Sequence, residues 1–209
     1  MVESFRTVAG RGESRFEVQG STFVGHVAPA DTVAEAKAFV EAIETEYDDA
    51  THNVPAYRVP AGGASARQAP GEVMLREYQS DDGEPTGSSG KPALNVLQQR
   101  DLRNVVAVVT RYYGGTNLGV GGLARAYSRA VKEAVDNAGV VETVPHERFT
   151  ARATYDDSGT VRGILESAGV EFEAAYEADV AFEVRVPVDE ADALRDRLRS
   201  ATSGRVDLG

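Results

Sequence analysis

Val105-Val106-Ala107-Val108-Val109 holds five apolar residues with no polar position among them. A strand with this composition has no face to give to water, so it must lie inside a sheet covered on both sides. Just beyond it, five of the nine residues from Gly114 to Gly122 are glycine. The next segment carries Leu123, Tyr127, Ala130, Val131, Ala134 and Val135 at helical spacing and closes at Asn137-Ala138-Gly139, a helix C-terminal signal. A buried strand, a glycine-rich passage and a long amphipathic helix therefore form one unit. The chain must supply other helices and strands around it.

Upstream, residues 5–28 mix polar and apolar positions and read as a hairpin or two short strands. Val33, Ala36, Val40, Ile43 and Tyr47 define a helix face, with Thr32 and Glu35 as a capping box. "ATHNVPAYRVP" reads as a strand, "AGGASARQAPGE" as a surface loop and "VMLREYQ" as a further strand. "SDDGEPTGSSGKP" is turn-rich, and a helix is expected to begin near Pro92 or Ala93, with Leu94, Leu97 and Leu102 inward.

A second pattern starts at Val144-Pro145-His146. "RFTARATY" alternates, a helix follows on Val161, Ile164, Leu165 and Ala168, and "VEFEAAYEA" and "VAFEVRVPV" alternate with period two. A helix capped by Asp189 and a short "RVDLG" strand complete β-α-β-β-α-β, the ferredoxin-like order. The expected domains are residues 1–144 and 145–209. The second carries no cluster of reactive groups, so its expected role is packing or docking of a protein partner.

Charge separates the segments. The formal net charge is -11, yet Gly90 to Lys132 holds seven bases (Lys91, Arg100, Arg103, Arg111, Arg125, Arg129, Lys132) against Asp101 alone. A segment at +6 in an acidic chain is a candidate anion-binding surface. The other reading is that these cations pair with acids elsewhere in the fold. Arg125, Arg129 and Lys132 stand at i, i+4 and i+7, one stripe of the helix. With three lysines and no cysteine, the composition suits a protein of concentrated salt, or equally an acidic protein from a GC-rich genome. There is no disulfide framework, apolar span or signal-peptide core, so a cytoplasmic location is expected and no membrane association.

The glycines fit no nucleotide motif closely. Gly114 and Gly119 have P-loop spacing, but Val120 and Gly121 stand where Lys and Ser/Thr belong. Gly119, Gly121, Gly122 and Ala124 match a relaxed dinucleotide fingerprint, yet Gly119 trails the strand by nine residues. What remains is a tight strand-to-helix passage that leaves amides near Gly121 and Gly122 open to an anion, beside the basic stripe. Tyr112, Tyr113 and Tyr127 offer rings for stacking or fill the core. Asp81, Asp82 and Glu84 would hold a hard cation only if the fold brings further ligands such as His52; a solvated or capping turn is the ordinary reading. No catalytic residue, metal site or cofactor is assigned.

"ATHNVPAYR", "DDGEPTGSSGKP" and "VVAVVTRYYGGTNLGVGGLARAYSRAV", in this order, resemble the IMPACT family. With its C-terminal domain, the chain resembles the family's YigZ-like bacterial and archaeal branch. The resemblance implies an α+β protein. Its N-terminal domain would be a ribosomal-protein-type α/β domain with a left-handed crossover, followed by the ferredoxin-like domain. It also implies association with regulation of translation and, for bacterial members, a suggested binding of nucleic acid. Carried over by position, the family motif covers His52, Asp81, Asp82, Gly83, Glu84, Pro85, Gly90, Arg111, Tyr112, Gly114, Gly115, Gly119, Gly121, Gly122, Arg125 and Tyr127. "SSG" replaces the usual Thr-Ala-Gly in the second block, and Val54-Pro55 alters the first.

The expected function is thus non-enzymatic: binding of RNA, the ribosome or translation factors. The candidate surface comprises Lys91, Arg103, Arg111, Tyr112, Gly121, Gly122, Arg125, Arg129 and Lys132. The alternative is an enzyme that binds a nucleotide or phosphometabolite with the 81–90 turn and the 114–122 loop.

Overall fold

The structure is a computed structural model that describes residues 4–61 and 74–209. It divides into two compact units, Phe5–Thr143 and Val144–Gly209. The expected surface loop at 61–72 lies, beyond Ala61, outside the described residues. No helix among the described residues is long and apolar enough to cross a membrane.

The first unit runs β1 (Phe5–Val8), β2 (Gly12–Val18), β3 (Ser21–Pro29), α1 (Val33–Glu46), β4 (His52–Pro60), β5 (Leu75–Gln79), α2 (Gly90–Gln99), β6 (Val105–Tyr112), α3 (Gly119–Ala138) and β7 (Val140–Thr143). Five strands form a sheet in the order β2-β3-β6-β4-β5, so the all-apolar strand is central. Its alternate residues serve opposite faces. Val105, Ala107 and Val109 pack with Leu123, Tyr127, Ala130 and Val131 of α3 and with Val96 and Leu97 of α2. Val106 packs with Ala36, Tyr57 and Val59, against which Val33, Phe39 and Val40 also rest. Two layers of helix therefore remove β6 from water entirely.

Thr32 caps α1 as its spacing predicts, its Oγ1 accepting from Glu35 N at 3.1 Å. The return bond goes to Asp31 N, at 2.8 Å, one residue earlier than in the usual box. Two expectations are corrected. Residues 5–28 hold three strands, because β1 leaves the main sheet to pair with β7. Helix α2 begins at Gly90, ahead of Pro92, because Asp81 supplies acceptors to its first amides.

His26, on β3, is 6 % exposed and packs against the Tyr47 ring, with no hydrogen bond to Nε2. Burial lowers its pKa below 6.5, and the Glu13 and Glu46 carboxylates only partly oppose this. The unfolded chain therefore takes up the proton first, and stability falls as pH drops below 6.5. His26→Leu is expected to flatten the stability profile between about pH 7 and 5 in urea melts, since the titrating group is gone.

The second unit runs β8 (His146–Ala153), α4 (Tyr155–Ala168), β9 (Glu171–Tyr176), β10 (Val180–Pro187), α5 (Val188–Ala201) and β11 (Asp207–Leu208). Its antiparallel sheet has the order β11-β8-β10-β9, the ferredoxin-like arrangement. Phe149, Phe182, Val184 and Val186 meet Val161, Leu165, Leu194 and Leu198 in one core. Asp189 is not the cap of α5. Pro187 occupies that position, and Asp189 lies in the first turn, where its charge suits the positive end of the helix.

Candidate functional site

The motif residues scattered over 52–127 converge at the end of β6. Arg111 and Glu84 form an ion pair at 2.5 Å with side chains 5 % and 3 % exposed. Tyr127 Oη donates to the same Glu84 Oε1 at 2.8 Å. Burial, then the adjacent carboxylate, holds the Tyr127 phenol far above its usual range, so it stays a donor. Arg111 Nη2 reaches Ser21 Oγ at 3.3 Å, and the guanidinium carbon lies 5.5 Å from the Phe23 ring and 5.3 Å from Tyr113. Arg111 is therefore spent inside the fold. Its assignment to a free anion-binding surface is corrected.

The 81–90 turn is also closed on itself. Asp81 accepts from Gly87 N (2.7 Å), Ser89 N (3.2 Å), Ser89 Oγ (2.7 Å) and Gly90 N (2.8 Å). Burial pushes its carboxyl up, but these bonds outweigh it and leave the pKa below the carboxylate norm. Asp82 Oδ2 accepts from Asn53 N at 2.7 Å, and the Asp82 carbonyl accepts from His52 Nδ1 at 2.5 Å. The three neighbouring acids thus bind three different internal partners. They leave no common face for a cation, and among the described residues no group of His, Cys, Asp and Glu is placed to hold a metal.

The glycine-rich passage divides its roles. A Cβ on Gly114 would run into the Gly20 carbonyl carbon, so two turns cross here backbone to backbone. Gly114 N donates to Ser21 Oγ at 3.1 Å and Tyr113 N to Thr51 Oγ1 at 2.9 Å. Gly115 and Gly119 hold φ of 83° and 71°, which side chains resist. Helix α3 then starts with no side-chain cap and no acid in its first turn. Arg125 folds back along the helix, its Nη1 3.4 Å from where a Gly121 Cβ would stand. An exposed guanidinium thus adds its charge to the positive end of the dipole.

The other cations differ. Arg129 pairs with Glu133 at 2.7 Å and covers the Phe16 ring at 4.0 Å, and Arg103 lies 4.5 Å over Phe5. Tyr112 is half-buried and its hydroxyl donates to Asp49 at 2.6 Å, while the Tyr127 ring is buried and unavailable for stacking. Tyr113 is the exposed ring. Lys91, Arg125 and Lys132 have no carboxylate within 4.0 Å among the described residues. Arg125, Ser128, Arg129 and Lys132 line a shallow depression on α3. Sequence reasoning missed Ser21 and Thr51, hydroxyls that tie the turn down. Only strand register brings them there, so no local signal marks them.

Fold and site define a two-domain α+β protein whose motif residues form a buried polar network beneath a glycine-rich, cationic turn. The Impact N-terminal domain model matches residues 19–135, and a domain of unknown function, DUF1949, matches residues 152–205. IMPACT family member YvyE of Bacillus subtilis is 35 % identical over 209 residues, covering 100 % of this chain and 91 % of that one. IMPACT family member YigZ of Escherichia coli is 33 % identical, covering 92 % and 90 %. A crystal structure of a hypothetical protein aligns over 100 % of this chain and 97 % of its own, with 30 % identity and a TM-score of 0.62. The chain belongs to the IMPACT family.

Proposed function

We propose that this protein is a non-enzymatic regulator of translation that binds RNA through the N-terminal turn of α3 and the cations beside it. Membership of a family associated with translational regulation supports the biological role. The observation that carries the binding mode is the uncapped, acid-free first turn of α3 with Arg125 laid beside Gly121. Free amides, helix dipole and guanidinium there address one anion together. Lys132 extends the positive field along the helix, and the exposed Tyr113 supplies a ring at the turn. The phosphometabolite reading loses its main support, since Asp81 already occupies the amides of Ser89 and Gly90 at the start of α2.

The test is a filter-binding titration with structured RNA at several salt concentrations. Arg125→Glu with Lys132→Glu is expected to weaken binding at least about tenfold at low salt and to flatten the log–log salt slope by roughly 1–2, as two phosphate contacts are lost. Arg129 is left in place, because Glu133 and Phe16 already engage it. Equal retention of RNA by both proteins would discard the surface.

A further inference from the structure

Arg129 stands between Arg125 and Lys132 on the outer stripe of α3, and all three line the same shallow depression. Its guanidinium carbon lies 4.0 Å from the centre of the Phe16 ring. Turned edge-on, the group would bring a nitrogen about 1.3 Å nearer, inside contact distance, so it rests flat on the ring. Its Nε donates to Glu133 Oε1 at 2.7 Å, which keeps it from turning in its own plane. Beneath it, Phe16 stacks on Phe23 at 5.6 Å with 15° between the rings, and the fully buried Phe23 meets Tyr127 edge to face. The guanidinium is thus the top of a column rooted in the core. Its side chain is nevertheless 52 % exposed, so the face turned away from Phe16 meets solvent.

Resting on the RNA-binding reading above, we infer that Arg129 is a stacking platform for an unpaired nucleobase. A planar cation held on an aromatic ring offers its free face to a second π-system, and the unpaired bases of RNA stack on guanidinium planes in this way. Phosphate is the poorer ligand here. It would approach the edge of the guanidinium, where the Glu133 carboxylate already opposes the charge. The cations left for phosphate are Arg125 and Lys132, four residues before Arg129 and three after it. They stand about 10 Å apart along the axis, on the same side of the helix. A plane with a cation on either side matches a base with a phosphate on either side, and the long side chains adjust to its length. Glu133 and Phe16 hold the platform before a ligand arrives, so little side-chain freedom is lost on binding. The base it takes is an unpaired one, because bases within a duplex are already stacked on one another.

The test uses the full chain and two single-stranded RNAs of one length and charge: oligo-adenosine, and the same strand with its central nucleotides abasic. Fluorescence anisotropy should show the adenosine strand bound roughly tenfold more tightly, the scale of one stacked base. Arg129→Lys keeps the charge and removes the plane. It should weaken the adenosine strand roughly tenfold and change the abasic strand by less than about twofold. Equal affinity of the unmodified protein for the two strands, a comparison that needs no variant, overturns the inference and leaves phosphate binding standing. Equal weakening of both strands by Arg129→Lys also overturns it, because Arg129 would then meet phosphate through its edge. So does a variant that keeps the full preference, since the stacking group would lie elsewhere. Failure of the unmodified protein to bind either strand removes the RNA reading and this one together.

Discussion

Glu84→Leu lowers the unfolding free energy of the N-terminal unit by about 3–5 kcal/mol, as expected when one partner of a buried ion pair is removed. The Arg111 side chain, 5 % exposed, is left charged with only Ser21 Oγ at 3.3 Å as a hydrogen-bond acceptor. Tyr127 Oη loses its acceptor as well, and a buried unpaired donor adds to the penalty. Arg111→Met alone strands Glu84 in the same way and costs a similar amount. The double variant Glu84→Leu, Arg111→Met recovers much of the loss, because a buried pair exchanged for apolar groups of similar size is often close to neutral. Urea unfolding followed by circular dichroism measures all three. The contrasting case is Glu133→Ala, which breaks the exposed pair with Arg129 and costs about 0.5 kcal/mol or less. Single variants at 84 and 111 that behaved like Glu133→Ala would mean the network contributes no stability.

Local spacing made much of the fold legible. The unbroken apolar run forces β6 to the centre, helical spacing marks the buried residues of α3 apart from Ala126, and the Thr32–Glu35 pair announces the start of α1. Period-two alternation likewise marks β9 and β10, so the ferredoxin-like order can be counted off directly. What stayed hidden is pairing between distant segments. β1 finds β7 more than a hundred residues later, and Glu84 meets Arg111 and Tyr127 from a turn that a linear reading treats as solvated. Counting charges over 90–132 therefore overstated the free cations. One of those errors was avoidable: Glu133 stands four residues after Arg129, the spacing of a helical ion pair. Phe16 beneath Arg129, by contrast, arrives from β2 through sheet packing alone.

The same packing sets the second large effect, at a glycine outside the rich passage. Gly25→Ala is expected to destabilise the N-terminal unit by about 3 kcal/mol, the upper part of the range for overfilling a packed core. A Cβ on Gly25 would collide with the Ala130 carbonyl oxygen and stand 2.7 Å from Ser14 Oγ. Neither neighbour has room to turn aside: the carbonyl belongs to the backbone of α3, and Ser14 Oγ donates to that same oxygen at 2.8 Å. A methyl group there lifts the helix off β2 and β3 and takes the bond with it. Its effect is then felt at Tyr127, one turn before Ala130, which holds Glu84 on the other side. Thermal unfolding should show the N-terminal transition lowered by roughly 10 °C, at 2–4 °C per kcal/mol for a unit near this size. Gly163→Ala provides the opposite sign. It lies within α4, meets nothing within 4 Å and has no positive φ, so the added methyl stabilises the C-terminal unit by up to about 1 kcal/mol. If Gly25→Ala left the N-terminal transition where it was, α3 would have a freedom to shift on the sheet that would undo the fixed placement of Arg125 and, with it, the geometry on which the proposed anion-binding turn depends.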